Sequence, residues 1–353
     1  MNLSVGIVGF PNAGKSTLFN ALLGRQIAQT AVYAFCTIEP NVGVVPVPDD
    51  RLTALAKIVN PEKITPAVVK FIDIAGLVKG AAKGEGLGNK FLAHIREVDC
   101  ICFVLRAFES KDVDKAGSSH PREDLDNLKA ELILKDLETI EKFAAPVKDL
   151  PAKQQLEQLK QKLITNMNKG LMVKDISLTD EEIEFIKPLN FLTFKPYFII
   201  LNVNEQDLAN IEKIIADYKD WTIIPISAKI EEELANLSPE EQKEYLKTLG
   251  LKKSGLERLI KTAYDYLGLI SFLTAGPKEV RAWTIKKRML APEAAGVIHT
   301  DFAKNFIKVK VISFSDFIAF SGWQKAKELG KVRMEGRDYK IKDGEVVEFM
   351  VGK

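Results

Sequence analysis

The chain has 353 residues, of which 46% are hydrophobic, and a formal net charge of +2. That length exceeds what one core ordinarily serves and predicts two or three domains. The apolar content excludes a disordered chain, and the near-neutral charge neither requires nor rules out a nucleic-acid partner. No apolar run is long enough to span a bilayer, and Met1 to Ile7 lacks the basic-then-apolar pattern of a secretion signal. The three cysteines, Cys36, Cys100 and Cys102, fall in no metal-ligand spacing and fit a reducing, cytoplasmic setting.

In chain order, Leu3-Val8, Val68-Ile74 and Ile101-Leu105 read as short buried strands, and Phe198-Leu201 and Thr222-Pro225 resume the pattern much later. Strands alternating with helical stretches predict a parallel sheet covered by helices. Between the two sets, residues 122–190 change character. Leu125, Leu128, Leu132, Ile140 and Phe143 fall at helical spacing, as do Leu156, Leu159 and Leu163 after Pro146 and Pro151. This predicts an inserted helical hairpin, either structural padding or a docking arm. From residue 276 a small α+β unit is predicted. Its strands are Val280-Ile285, Val309-Ile312 and Val346-Phe349, with Gly296 to Phe306 read as a strand and a short helix, and Lys342-Glu345 as a turn. Residues 276–353 hold sixteen Lys and Arg against ten Asp and Glu. That local excess suits a phosphate-rich partner, or simply a solvated face.

The chemistry begins directly after the first strand. Gly9-Phe10-Pro11-Asn12-Ala13-Gly14-Lys15-Ser16-Thr17 has the spacing of a phosphate-binding loop, placed between a strand and an apolar helix as that motif requires. Backbone N–H groups from Asn12, Ala13 and Gly14 would curl round the phosphates, helped by the helix N-terminus. Lys15 would bridge the β- and γ-phosphates, Ser16 would ligate Mg²⁺, and Thr17 would lie nearer the α-phosphate. Asp73, at the tip of the strand Val68-Ile74, would hold Mg²⁺ through water, and the Gly76 N–H would touch the γ-phosphate. Thr37 is the candidate switch threonine, completing the metal shell when the γ-phosphate is present. Leu77 stands where water-orienting GTPases carry glutamine, so hydrolysis must use another group or be slow. The glycine-rich run 79–88 suits a second switch.

The base-reading motif is altered. A guanine site carries Asn-Lys-x-Asp, whose aspartate accepts from both N1–H and the 2-amino group, and this chain has Asn202-Val203-Asn204-Glu205. Adenine has neither donor, so a carboxylate aimed at that edge would be left unpaired. Glu205 is one methylene too long for the guanine geometry, Val203 can pack on an adenine face, and Asn202 can offer its amide to N7 or the 6-amino edge. Ser227-Ala228-Lys229 reads as the remaining base loop. A sequence built like a GTPase but unable to read guanine well points to ATP. The plainer alternative is that Asn202 to Glu205 only caps the next helix.

Taken together, these motifs resemble the YchF/Obg-like ATPase family of translation-factor P-loop proteins, over essentially the whole chain. Lys278 to Thr284 and Ala294 to Phe302 are similar to that family's TGS domain. The resemblance implies a P-loop G domain in two parts (1–121 and 191–275), an inserted coiled-coil hairpin (122–190) and a C-terminal TGS β-grasp domain (276–353). It implies ATP hydrolysis with GTP accepted in some members, and binding to the ribosome or its large subunit with ribosomal RNA contact. It also implies Mg²⁺ as cofactor, no DNA specificity, no membrane partner, and a hydrophobic residue in the glutamine position, which Leu77 supplies. Members are also linked to stress responses, on which the residues themselves are silent. One departure stands out. The family carries a histidine in the loop after Arg106-Ala107-Phe108-Glu109, where this chain has Asp114, with His120 six residues on. Either could orient water, so the catalytic residue stays open. So does the choice between a slow ATPase cycling on the ribosome, a nucleotide-occupancy switch, and a guanine-using ribosome-assembly GTPase.

Overall fold

Two six-stranded sheets carry the architecture in the computed structural model, which describes residues 3–28, 41–74, 89–108, 120–143 and 150–352. The first sheet has the order β2-β4-β1-β5-β6-β7. Its strands are β1 (Ser4–Val8), β2 (Val42–Pro46), β4 (Val68–Asp73), β5 (Cys100–Arg106), β6 (Tyr197–Asn202) and β7 (Ile223–Ile226). All are parallel except β2, which runs antiparallel to β4 on the edge. The sequence dictates this. β1 is buried along its whole length, as is β5 except for its last residue, and strands covered on both faces read as continuous apolar runs. The two cysteines of β5 are ordinary core residues, and burial pushes the Cys100 thiol up to about 12.

The helices of residues 15–266 are α1 (Lys15–Ala28), α2 (Asp50–Val59), α3 (Asn89–Glu97), α4 (Pro121–Lys142), α5 (Leu150–Met167), α6 (Asp180–Ile186), α7 (Ile211–Asp217), α8 (Ala228–Ala235), α9 (Pro239–Thr248) and α10 (Gly255–Tyr266). The predicted hairpin is α4 and α5, but its apolar positions do two different jobs. Leu125, Leu128 and Leu132 pack into the sheet's own core beside Leu105 and Leu201. Only the later part of α4, from Ile133 to Ile140, meets Leu159, Leu163 and Met167 of α5. The helix is therefore rooted on the sheet before it departs from it. Asp136 completes the root: fully buried, its carboxylate accepts from the Leu192 and Thr193 N–H groups and the Thr193 hydroxyl at 2.7–2.9 Å.

The second sheet has the order β11-β10-β12-β8-β9-β3. It comprises β3 (Lys63–Thr65), β8 (Leu269–Ala275), β9 (Glu279–Lys286), β10 (Phe306–Ile312), β11 (Arg333–Glu335) and β12 (Val346–Val351), with α11 (Ala291–Ile298), α12 (Thr300–Lys304), α13 (Phe314–Ala319) and α14 (Trp323–Glu328). Two expectations need correction. The sheet begins at Leu269, ahead of the 276 boundary, because β8 pairs along its length with β9. Residues Gly296 to Phe306 contain no strand before the last of them; α11 and α12 occupy the stretch. Pro292 suits a helix's first turn, and the small Ala291, Ala294 and Ala295 let that helix sit flush on the sheet.

β3 belongs to the first half of the chain yet pairs in parallel with β9, Lys63 to Glu279 and Thr65 to Arg281. Thr65 Oγ1 donates to Glu279 Oε1 at 2.5 Å. Arg51 of α2 reaches Asp343 at 2.8 Å while its Nε is held by Asp49, also at 2.8 Å. One apolar cluster runs from Val5 and Phe71 through Leu52 and Leu55 to Leu273, Phe317 and Val346.

Candidate nucleotide-binding site

The parallel strand order brings the C-terminal ends of β1, β4, β6 and β7 to one edge, which is where ligands bind in open α/β sheets. The phosphate loop follows β1. Gly9 passes the Val104 carbonyl too closely for any side chain, and at Gly14 a side chain would strike the Asn202 amide. Left-handed backbone at Asn12 (φ 63°) and Gly14 (φ 95°) curls the loop, a conformation glycine adopts at no steric cost. Lys15 opens α1, is 7% exposed, and folds its ammonium back onto the Phe10 carbonyl at 2.6 Å. Burial pulls its pKa down to about 8, opposed by the charge of Asp73.

That shift has a measurable sign. Below pH 8 the amine is charged and ready for phosphate; above it, binding must take up a proton. ATP affinity is expected to be level up to about pH 8 and then to fall, by up to about tenfold per pH unit. Titrating Kd between about pH 7.5 and 9.5 checks this, and a flat profile contradicts it.

The loop faces a cavity of about 720 Å³ lined by Asn12, Gly14, Lys15, Ser16, Thr17, Phe108, residues 202–206, Ser227, Ala228 and Lys229. That is within the usual size of a small-molecule site. The structure gathers the phosphate loop, the altered base motif and Ser227–Lys229 on one cavity, although the last, read as a loop in the sequence, is the N-cap and opening turn of α8. Ala13 is present through its backbone only: its side chain is buried and its carbonyl accepts from Asn202 Nδ2 at 3.0 Å. Asn202 is itself 5% exposed, and its Oδ1 accepts from the Ala228 N–H at 3.0 Å. It thus laces the phosphate loop to the N-terminus of α8. Capping falls instead to Asn204, whose N–H donates to Asp207 at 3.2 Å, and Glu205 is exposed at the mouth of the cavity.

Three cavity residues were given no role in the sequence: Phe108, Asn204 and Gln206. Phe108 lies just past β5, with the Arg106 guanidinium 4.8 Å from its ring centroid. The strand-end rule that located Asn202 applies equally to β5 and would have found it. His120 is exposed immediately before α4 and is not among the residues lining the cavity. Thr37, Gly76, Leu77, Asp114 and Cys36 lie outside the described residues.

The donor set fits Mg²⁺. Ser16 presents a hydroxyl at the cavity, and Asp73, 4% exposed, lies close enough to act on Lys15. Hydroxyl and carboxylate oxygens are the hard ligands this ion takes, usually one or two from protein with phosphates and water completing the shell. Among the described residues no group of three or more His, Cys, Asp or Glu gathers as a self-sufficient metal cage.

The strand order and this loop geometry together define a P-loop nucleotide-binding protein with a G-type domain. Comparison with known proteins narrows that class. A family profile described as "50S ribosome-binding GTPase" matches residues 4–140, and the YchF-GTPase_C profile, described as "Protein of unknown function (DUF933)", matches 269–352. The chain is 49% identical over 361 residues to the Ribosome-binding ATPase YchF of Haemophilus influenzae, covering 99% of each. It is 46% identical over 363 residues to that of Bacillus subtilis, with the same coverage. The solved structure of the Schizosaccharomyces pombe YchF GTPase superimposes with a TM-score of 0.89 at 35% identity, covering 99% of this chain and 98% of that one. The chain belongs to the YchF family.

Proposed function

We propose that this protein is a ribosome-binding ATPase of the cytoplasm that cleaves the β–γ phosphoanhydride slowly and uses nucleotide state as a switch. The observation that carries the adenine reading is the base side of the cavity. Where a guanine site needs a short carboxylate fixed beside a lysine, this cavity has Val203, 4% exposed, a solvent-facing Glu205 and the ring of Phe108. Without a fixed acceptor pair for N1–H and the 2-amino group, the cavity lacks what selects a 2-amino-6-oxo purine, and a 6-amino purine leaves no carboxylate unpaired there. The names of the bacterial relatives support the same activity and the ribosome as partner.

Lys15 and the N–H groups of residues 12–14 hold and neutralise the triphosphate, and catalysis of this kind is largely positioning and charge stabilisation. Ser16, Thr37 and, through water, Asp73 would hold Mg²⁺, which would supply further neutralisation of the phosphate oxygens. Gly76 would offer its backbone N–H to the γ-phosphate. The water-positioning role stays with His120, Asp114 or a group the ribosome provides. The sixteen Lys and Arg of residues 276–353 give the C-terminal unit the charge for ribosomal RNA contact.

The competing reading is a guanine-using GTPase, which the profile over residues 4–140 and the fission-yeast structure carry in their descriptions. Competitive titration decides between them. ATP is expected to bind at least as tightly as GTP, and a GTP preference of about tenfold, or ~1.4 kcal/mol, overturns the adenine reading. Single-turnover hydrolysis with and without ribosomes is expected to show strong stimulation; its absence turns the switch into an occupancy sensor.

A further inference from the structure

The base loop Ser227–Lys229 is fixed at its front by Asn202, as described. It is also fixed from behind, by residues that belong to none of the nucleotide motifs. Glu231, in the first turn of α8, is 4% exposed, and its Oε1 accepts from the N–H of Gly255 at 2.6 Å. Gly255 is the first residue of α10. One turn further along α10, Arg258 donates from Nη2 to the Pro225 carbonyl at 2.7 Å. The strand leading into the base loop and the helix leading out of it are therefore both pinned to the same turn of α10. The Glu231 charge also acts on Arg258 through the intervening protein, opposing the pull of burial on that guanidinium.

Glu231 shares the capping of α10, taking its first N–H while Ser254 Oγ accepts from the Glu257 N–H at 3.1 Å; because it comes from another helix, its hydrogen bond also ties α8 to α10. A carboxylate taken out of water costs several kcal/mol unless its geometry repays it. The neighbourhood is also shaped around it. A β-carbon added to Gly255 would lie 2.9 Å from Glu231 Oε1 and 2.9 Å from Ile226 Cγ1, so only glycine admits the carboxylate this close. What the contact fixes is the distance between α10 and the loop that faces the base.

We propose that Glu231 is a positioning residue for purine selection, holding the Ser227–Lys229 loop at the depth at which it discriminates one purine edge from the other. The proposal rests on the nucleotide reading given above. A displacement of about 1 Å in a positioning element can cost as much as two orders of magnitude.

The test uses the full-length chain and fluorescent adenine and guanine diphosphates. In Glu231→Leu, which keeps the volume and removes the acceptor, the adenine nucleotide Kd is expected to rise about tenfold and the adenine-to-guanine preference to shrink toward unity. KM for ATP is expected to rise in step, while kcat stays within about threefold. Glu231→Gln, which retains an oxygen for the Gly255 N–H, is expected to recover most of the affinity. Gly255→Ala, which crowds the carboxylate, is expected to reproduce the loss. A folded Glu231→Leu with wild-type affinity and preference overturns the proposal. If that variant does not fold, unchanged preference in Gly255→Ala overturns it instead. If the wild-type chain binds neither nucleotide, the ATPase reading falls and takes this proposal with it, whereas wild-type binding with indifferent variants removes this proposal alone.

Discussion

Replacing Lys15 with alanine is expected to lower ATP turnover by about 10²–10³-fold, the usual cost of deleting one preorganised donor at a site of developing charge. The same substitution is expected to leave thermal stability level or slightly raised. The ammonium is buried, at 7% exposure, and its pKa is pulled down to about 8 by that burial. A cation with a lowered pKa is one the folded protein disfavours at neutral pH, so its removal relieves a penalty. The single hydrogen bond to the Phe10 carbonyl returns only part of that. Loss of function without loss of stability marks a residue kept for its ligand. A drop in turnover of less than about tenfold, or a large fall in melting temperature, would count against that assignment.

Asp136 is expected to show the opposite pattern. Its carboxylate, at 0% exposure, satisfies three donors at once: the backbone N–H groups of Leu192 and Thr193 and the Thr193 hydroxyl. Asp136→Ala leaves all three buried without an acceptor, and each unmet donor costs about 1–3 kcal/mol. A total near 3–5 kcal/mol is expected once the site relaxes, read as a shift in the urea midpoint. Asp136→Asn is expected to recover part of it, since the amide keeps one oxygen but turns an N–H₂ toward donors. The Phe191–Lys195 segment leads directly into β6, so this carboxylate sets where the hairpin stops and the sheet resumes. If the alanine variant melts like the wild type, α4 is not anchored there.

The phosphate loop was legible because its spacing and its strand-then-helix context constrain one another, and the parallel strands were legible because burial on both faces leaves an unbroken apolar run. The rest was lost for specific reasons. Helical spacing in α4 said that Leu125, Leu128 and Leu132 face something apolar, but periodicity names a buried face and not its neighbour, so sheet-facing residues were assigned to the hairpin. The stretch around Val297 and Ile298 read as a strand because two β-branched residues outweighed the helical i, i+3, i+4 spacing of Ala291, Ala294 and Ala295, which small side chains make faint. β3 has three residues and no period at all. Asn202 was read as a base donor from its place in a motif; that it also laces Ala13 to Ala228 depends on two loops far apart in sequence. Asp136 and Glu231 were invisible for the same reason, since each is a charged residue on a helix until its distant backbone partners are known.

The strand Lys63–Thr65 makes the C-terminal unit inseparable from the rest. Cutting the chain before Leu269 would strip β3 of its neighbour β9 and uncover the flank of α2 that Leu52 and Leu55 now bury. The surviving half would be sticky along an open edge, in the way unpaired strands generally are. A partner that holds the C-terminal sheet would therefore hold the first sheet with it, as a hand on a blade steers its hilt. Any displacement of one sheet would reach the other through their shared core, not as the swing of a tethered module.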